Sequence, residues 1–221
     1  MTQPARPYAS PACLAQELDP NHVDPQQALD VARWRKAERT RLLTERAALA
    51  VTARQSTAAA IAIHIDHLLA QRFATLDGLI ISAWWPIKAE LDLRFWLASL
   101  ASRGATAALP VILTPKAPLC FRAWTPDTKM ERGFWNIPTP ATDPEITPHI
   151  TLSPLVGWDK AGFRLGYGGG YFDRTLASLT PSPIAIGVGL DTARLPTIFP
   201  QPHDIPMDYI LTESGPQPLH A

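Results

Sequence analysis

Residues 164–176 of the chain read Arg-Leu-Gly-Tyr-Gly-Gly-Gly-Tyr-Phe-Asp-Arg-Thr-Leu. Four glycines fall within five positions, behind an arginine and ahead of a segment that we predict to be a helix. Glycine lets backbone N–H groups approach a ligand closely, and a helix N-terminus adds unpaired donors and a positive dipole end. The stretch therefore predicts a phosphate-binding loop, with Asp173 placed to hold a divalent metal beside the phosphate.

The spacing of these glycines excludes two common nucleotide-binding motifs. A Walker loop requires a glycine and then a lysine where this chain has Tyr171 and Phe172. The dinucleotide fingerprint begins correctly at Gly166 and Gly168 but also fails at Tyr171. A glycine-rich turn that only joins a strand to a helix remains the alternative interpretation.

Outside this loop, short apolar segments alternate with segments rich in helix-forming residues. The predicted helices are 26–52, 56–73, 92–103 and 171–179, with Ser56-Thr57 at the first junction. The predicted strands are 79–84, 106–110, 119–124, 150–157, 184–189 and 209–211, with a long proline-rich loop at 125–150. This alternation implies an α/β fold with a mostly parallel sheet covered on both faces, preceded by an N-terminal helical segment. Ligands of such sheets bind beyond the carboxyl ends of the strands, where 150–157 is expected to lead into the glycine loop.

The composition narrows the class of protein. The chain has 20 basic and 20 acidic residues and a net charge of zero, which argues against a nucleic-acid or membrane-surface protein. Two cysteines, Cys13 and Cys120, do not make a disulfide scaffold, and we see neither an apolar span nor a signal peptide. We expect a cytoplasmic, monomeric enzyme that acts on small molecules. Residues 1–25 are predicted to be a loosely ordered extension, and residues 26–221 a single domain.

The glycine-rich stretch resembles the signature of the 5-formyltetrahydrofolate cyclo-ligase family, also called methenyltetrahydrofolate synthetases. The signature is Arg-Leu-Gly-Tyr-Gly-Gly-Gly-Tyr-Tyr-Asp-Arg, and the chain departs from it only at Phe172. The resemblance spans about residues 31–214, and residues 1–30 have no counterpart in the family core. It implies a three-layer α/β/α sandwich.

Two further segments are similar to family motifs that contact the folate. Residues 85–92, Trp-Pro-Ile-Lys-Ala-Glu-Leu-Asp, resemble Trp-Pro-x-Lys-Gly-Glu-x-Asp, with Ala89 in place of glycine. The resemblance implies that Glu90 binds the folate, and a carboxylate suits the paired donors of the pterin. Residues 133–140, Gly-Phe-Trp-Asn-Ile-Pro-Thr-Pro, imply that Trp135 packs on the folate. On the residues alone, a core anchor for the loop is an equal alternative for that tryptophan.

The resemblance also assigns a metal site. Residues 202–208, Pro-His-Asp-Ile-Pro-Met-Asp, are similar to the closing motif of the family. In the family, the aspartates that match Asp204 and Asp173 lie around Mg²⁺. Two carboxylates, nucleotide phosphates and waters are the usual ligands of this ion.

The N-terminal match concerns basic residues of the first predicted helix. Family members carry a basic residue and, four positions on, an arginine, and both reach the ATP phosphates. Arg35 and Arg39 fit this spacing, which places both on one helix face. Lys36 begins an offset register that fails at Thr40. A solvated charged face is the alternative interpretation.

The resemblance implies ATP- and Mg²⁺-dependent conversion of 5-formyltetrahydrofolate to 5,10-methenyltetrahydrofolate, with ADP and phosphate as products, through a phosphorylated formyl group. The residues expected to bind ATP are Arg35, Arg39, Arg164, Leu165, Gly166, Tyr167, Gly168, Gly169, Gly170, Tyr171 and Phe172. Arg164 and Tyr171 are the expected catalytic residues, and Tyr171 joins Glu90 and Trp135 around the folate. A non-catalytic folate- or nucleotide-binding protein and a sugar-phosphate isomerase on a related scaffold are the alternatives.

Overall fold

A computed structural model of the chain describes residues 25–141 and 144–219. Its contacts divide the chain into two compact units, with the boundary between Glu38 and Arg39. The described part of the first unit is entirely helical, and the second unit contains the remaining elements. The predicted N-terminal extension lies, up to residue 24, outside the described residues. In the part of the chain that is described, no helix is both long enough and apolar enough to cross a membrane.

Four α-helices are present in the described residues. They are α1 (Pro25–Ala48), α2 (Val51–Arg72), α3 (Arg94–Ser99) and α4 (Tyr171–Ser178). The prediction that Ser56-Thr57 separates the first two helices is wrong, because the chain turns at Ala50, whose backbone is extended. Arg54 donates a hydrogen bond to the carbonyl oxygen of Leu49 and so satisfies a group that the end of α1 leaves unpaired. Neither glycine nor proline marks this junction, so the sequence contains no local signal for it.

The main sheet has seven strands in the order β12-β11-β9-β6-β1-β2-β3. Its members are β1 (Ile80–Ser82), β2 (Thr106–Val111), β3 (Cys120–Ala123), β6 (Ile150–Pro154), β9 (Ile184–Val188), β11 (Tyr209–Thr212) and β12 (Gly215–Pro216). Five strands are parallel, and the two edge strands, β3 and β12, are antiparallel to their neighbours. Four consecutive residues of β6 are buried, so both faces of the sheet are covered. The predicted α/β fold with a mostly parallel sheet is confirmed.

Helices pack on the sheet through their apolar residues. The helix α2 lies against β11 and β12 and buries Ile61, Ile65 and Leu69. The first turn of α4 packs its aromatic residues against a cluster that contains Leu119 and Phe121, next to β2 and β3. Thr175 of α4 accepts a hydrogen bond from the backbone N–H of Leu119 at 2.8 Å. These contacts fix where α4, and therefore the loop before it, meets the sheet.

Strand order creates a crevice in the middle of the sheet. From β1 the chain moves outward to β2, whereas β6 pairs with the other edge of β1, where Ser82 lies opposite Thr151. The segments that follow β1 and β6 therefore begin side by side at the carboxyl ends of two parallel strands. In open α/β sheets this reversal of strand order is the usual place for a ligand.

The glycine loop does not follow β6 directly. The predicted strand 150–157 ends at Pro154, and a hairpin of β7 (Gly157–Asp159) and β8 (Arg164–Leu165) precedes the loop. With β10 (Arg194–Leu195), this hairpin forms a separate three-stranded sheet. The prediction of one continuous strand is wrong because apolar residues run through the turn between the two strands, so hydrophobicity does not mark the break.

The prediction of one long loop at 125–150 is also wrong. The segment contains an antiparallel hairpin of β4 (Met130–Arg132) and β5 (Pro138–Pro140), in which Glu131 lies opposite Thr139. Proline is excluded from central strands because it cannot donate to the ladder, but both strands of an isolated hairpin are edges. The hairpin turn carries Trp135, whose φ of 54° lies in the left-handed region.

Candidate active site

The glycine loop is held in place by two arginines. Arg39 Nε of α1 donates to the carbonyl oxygen of Gly166 at 2.6 Å. Arg174 Nη2 of α4 donates to the carbonyl oxygen of Gly169. Two loop glycines have positive φ, 90° at Gly168 and 62° at Gly170, which is the residue before α4. The loop therefore has a defined shape and carries cationic groups on both sides.

The side chains of two predicted phosphate-binding residues point into the protein. Leu165 is buried in β8, and Phe172 packs against the apolar cluster under α4. For these two residues, only the backbone is left to contact phosphate. Their conformation is consistent with a loop that binds anions through N–H groups.

Arg164 is buried and lies against the two predicted metal ligands. Its guanidinium forms an ion pair with Asp173 Oδ1 at 2.8 Å and donates to the carbonyl oxygen of Ile205 at 3.1 Å. The backbone N–H of Ile205 donates to the same oxygen of Asp173 at 3.1 Å. Burial lowers the pKa of Arg164, and the nearby charges of Asp173 and Asp204 oppose this shift. The structure thus brings Arg164, Asp173 and Asp204 together.

Glu90 is the buried acid of the segment that follows β1. It is 7% exposed, and its Oε2 accepts a hydrogen bond from the backbone N–H of Ile87 at 2.9 Å. Burial raises its pKa from 4.5 to about 7, opposed by that N–H, by Arg46, by a hydrogen bond from Tyr167 and by Lys88. The carboxylate lines a cavity of about 590 Å³. A carboxylate this dehydrated gains most from a ligand that donates hydrogen bonds to it.

The sequence did not identify Arg46 as a site residue. This side chain is 6% exposed, and its Nη2 donates to the hydroxyl of Tyr167 at 2.5 Å and to the carbonyl oxygen of Lys88 at 3.1 Å. The side chain of Tyr167 therefore acts on Glu90, although the position of this residue in the glycine loop predicted a contact with phosphate. Arg46 follows several other basic residues of α1, and a charge pattern does not show which of them is buried.

An aromatic pair lies beside the glycine loop. Trp135 is 60% exposed, and its ring meets that of Tyr171 edge-on, with centroids 5.7 Å apart. Such exposure rules out the core-anchor alternative for Trp135. The hydroxyl of Tyr171 accepts a hydrogen bond from the backbone N–H of Lys116 at 3.3 Å, and the guanidinium of Arg174 lies 5.2 Å from the centre of its ring. The pair offers exposed aromatic surface to a flat ligand.

Comparison with known proteins identifies the family. A family model described as the 5-formyltetrahydrofolate cyclo-ligase family matches residues 31–213. The chain belongs to this family. The predicted resemblance, which spans about residues 31–214, is confirmed.

Individual relatives of the chain support this family assignment. A 5-formyltetrahydrofolate cyclo-ligase of Mycolicibacterium smegmatis is 30% identical over 182 residues, which cover 79% of this chain and 91% of the relative. The protein of the same name from Haemophilus influenzae is 29% identical and covers 80% and 96%. Among solved structures, a 5,10-methenyltetrahydrofolate synthetase of Aquifex aeolicus has a TM-score of 0.70 at 21% identity, covering 85% of this chain and 93% of that one. That structural likeness supports the fold.

The chemistry of the two predicted metal ligands shows whether they suit Mg²⁺. Asp173 and Asp204 present hard carboxylate oxygens at one buried arginine. Within residues 25–141 and 144–219, no group of three or more histidine, cysteine, aspartate or glutamate side chains is placed to hold a metal ion. Mg²⁺ needs only one or two protein carboxylates when phosphates and waters complete its shell. The donor set therefore fits Mg²⁺ that is bound together with a nucleotide.

The structure places one of the two arginines predicted from α1 at the glycine loop. Arg39 lies at the glycine loop, as described above. Arg35 belongs to the other compact unit, and its contact with phosphate stays a prediction.

Proposed function

We propose that this protein converts 5-formyltetrahydrofolate to 5,10-methenyltetrahydrofolate at the expense of ATP. One observation carries the proposal: Arg46 hydrogen-bonds both the hydroxyl of Tyr167 in the glycine loop and the carbonyl oxygen of Lys88, two residues before the buried Glu90. A phosphate-binding loop and a buried acid suited to a pterin therefore meet in one crevice. Membership of the cyclo-ligase family supports the same reaction. A simple phosphate-binding protein has no need for a dehydrated carboxylate at this position.

The chemistry explains the use of ATP. The formyl oxygen on N5 is a poor leaving group because amide resonance must be broken and oxide expelled. Transfer of the γ-phosphoryl group to this oxygen releases ADP and gives an imidate-like phosphate. N10 then attacks the formyl carbon, loses its proton and expels phosphate, which closes the ring. In phosphoryl transfer a protein acts mainly by positioning its substrates and neutralising charge.

The residues divide between the two substrates. Backbone N–H groups of the glycine loop hold the phosphates, and Arg39 adds positive charge beside them. Glu90 accepts the hydrogen bonds of the pterin, while Trp135 and Tyr171 flank the ring. Both substrates are thereby aligned without a covalent enzyme intermediate.

Asp173 and Asp204 are the groups that hold Mg²⁺ in this proposal. The ion supplies charge neutralisation for the phosphates when it is bound. Arg164 pairs with Asp173 at 2.8 Å and is only 7% exposed. We therefore assign Arg164 the role of holding the carboxylates in place, whereas the sequence predicted direct contact with phosphate.

The proposal is tested by the near-ultraviolet absorbance of the methenyl product. Purified protein is mixed with 5-formyltetrahydrofolate and Mg²⁺, with and without ATP, and we expect a rise in absorbance only with ATP. Folate binding by calorimetry without turnover would favour the non-catalytic alternative. Turnover of a sugar phosphate without ATP would favour the isomerase. Action as a monomer in the cytoplasm stays a prediction from the sequence.

The shape of the glycine loop predicts a difference between two alanine variants. Alanine at position 168 must adopt a φ of 90°, and its Cβ lies 3.4 Å from the Arg39 guanidinium carbon. A left-handed backbone costs an L-residue about 1–2 kcal/mol, so we expect Gly168→Ala to raise the KM for ATP about 10-fold. Gly166→Ala is the comparison within the same loop, because its Cβ meets no protein atom within 4 Å and its φ is not positive, so it adds a methyl group without straining the backbone. Equal ATP kinetics in the two variants would show that loop shape does not govern nucleotide binding.

A further inference from the structure

Arg46 joins three segments of the crevice. Its guanidinium donates to the carbonyl oxygen of Lys88 after β1, to that of Leu155 after β6, and to the hydroxyl of Tyr167 in the glycine loop. The distances are 3.1, 3.5 and 2.5 Å, respectively. Few side chains other than arginine present enough donors to bridge three acceptors from one buried position.

The contact with Lys88 acts on a strained turn. Lys88 and Ala89 have φ values of 47° and 61°, and neither residue is glycine. Two consecutive left-handed residues cost about 1–2 kcal/mol each, so the turn persists only when surrounding contacts hold it. Glu90 follows immediately, and its backbone N–H donates to the carbonyl oxygen of Ile87 at 2.9 Å. The direction of the Glu90 side chain therefore depends on the turn that Arg46 holds.

Arg46 also acts on Glu90 through Tyr167. The tyrosine hydroxyl accepts a hydrogen bond from Arg46, and burial together with the Glu90 charge raises the pKa of Tyr167 to about 12. The hydroxyl therefore keeps its proton at neutral pH, and its interaction with Glu90 lowers the pKa of that carboxylate. Lys88 adds a cation 5.2 Å from the Tyr167 ring centre. The other charged groups that line the cavity are Arg54, which donates to a backbone carbonyl, and Asp92, which pairs with Arg94.

We propose that Arg46 is a positioning residue for folate: through Lys88 and Tyr167 it holds the Glu90 carboxylate in place. The positive charge of Arg46 also lowers the pKa of Glu90 and so favours its charged form. The inference rests on the proposed function, in which Glu90 binds the pterin. It assigns Tyr167 two roles, one for its backbone at the phosphates and one for its side chain at the folate half of the site. Arg46 itself touches neither reacting group in this scheme.

The test compares Arg46→Met with wild type, measuring the KM for each substrate from about pH 6 to about pH 9. In wild type the KM for 5-formyltetrahydrofolate should fall as pH rises through about 7, because Glu90 becomes charged. Loss of Arg46 should move this midpoint upward by about one unit and raise the KM at neutral pH about 5-fold. The KM for ATP should change less than about 2-fold, and high pH should restore folate use.

Three further variants keep the test decisive. Tyr167→Phe removes only the hydroxyl and should give a smaller shift in the same direction, even if Arg46→Met folds poorly. Arg46→Lys keeps the charge and should restore part of the midpoint. Arg41→Met is the matched control, because Arg41 lies on the same helix and pairs with the exposed Glu45 at 2.8 Å. A parallel rise of both KM values without a shift in midpoint would overturn the proposal and indicate a purely structural role.

A readout that needs no turnover separates this inference from the proposed function. Carboxyl ¹³C NMR of the free protein follows the titration of Glu90 directly. We expect a midpoint near 7 in wild type and a higher one in Arg46→Met. An unchanged midpoint overturns the inference even if the enzyme is active. A shifted midpoint in a protein that makes no methenyl product overturns only the proposed function.

Discussion

Asp173→Asn is expected to lower kcat for the ATP-dependent reaction about 100-fold, which is typical for the loss of one group that stabilises developing charge. Asp173 is one of the two carboxylates proposed for Mg²⁺, and its ion pair with Arg164 measures 2.8 Å. Asparagine keeps the shape but removes the negative charge. The affinity for folate should be unaffected, because Glu90 lies in the other half of the site. Steady-state kinetics at several Mg²⁺ concentrations, with calorimetry of folate binding, measure both effects.

A folding defect must be separated from this effect, because Asp173→Asn leaves the buried Arg164 without its partner. Thermal unfolding of the variant measures that cost, which is expected to be a few kcal/mol for a broken buried pair. Asp204→Asn tests the second carboxylate. Asp127→Asn, at an exposed position in a loop, is the matched control for loss of one charge. Normal dependence on ATP and Mg²⁺ in folded Asp173→Asn protein would remove this residue from the metal site.

Glu90→Ala is expected to raise the KM for 5-formyltetrahydrofolate about 100-fold. The pterin would lose hydrogen bonds to a charged acceptor, which together contribute about 3 kcal/mol. The KM for ATP should change little, since the glycine loop keeps its contacts with Arg39 and Arg174. The same absorbance assay, run with each substrate varied in turn, separates the two constants.

Glu90→Gln refines this experiment because it keeps the volume and one acceptor. It should also abolish the dependence of the folate KM on pH near 7, since the titrating group is gone. Glu131→Gln, in the β4–β5 hairpin and away from the cavity, is the control. If the KM for ATP rises instead, the assignment of the two halves of the site is wrong.

Much of the site was predictable from residues 164–176. Four glycines next to a helix N-terminus indicate an anion-binding loop without knowledge of the fold, since the backbone requirement is local. The apolar strand predicted at 79–84 placed Glu90 in the loop that follows it, and the structure does so. The role of Arg46 was not predictable. Its burial depends on strands β1 and β6 being neighbours, which no local pattern in α1 records.

The fold shows the same division between local and long-range information. The parallel strands were found because both faces of the sheet are covered, which makes these strands continuously apolar. The β4–β5 hairpin was missed because Pro138 and Pro140 normally argue against a strand. The break at Ala50 was missed because the carbonyl oxygen of Leu49, left without a partner in its own helix, accepts a hydrogen bond from Arg54 of the next helix. Each of these two errors concerns a segment whose structure depends on hydrogen bonds to a residue outside that segment.

The adjacency of β1 and β6 has a consequence for how the protein is assembled. Ser82 and Thr151 are neighbours in the sheet, but they lie 69 positions apart in the chain, with β2, β3 and the β4–β5 hairpin between them. The two halves of the crevice are therefore joined by a long-range contact, which is complete only in the folded sheet. A ligand that bridges the two halves therefore binds only the complete sheet and favours it over every partly folded form. Substrate occupancy would then protect the whole domain from local opening and proteolysis, with the protection extending well beyond the residues it touches.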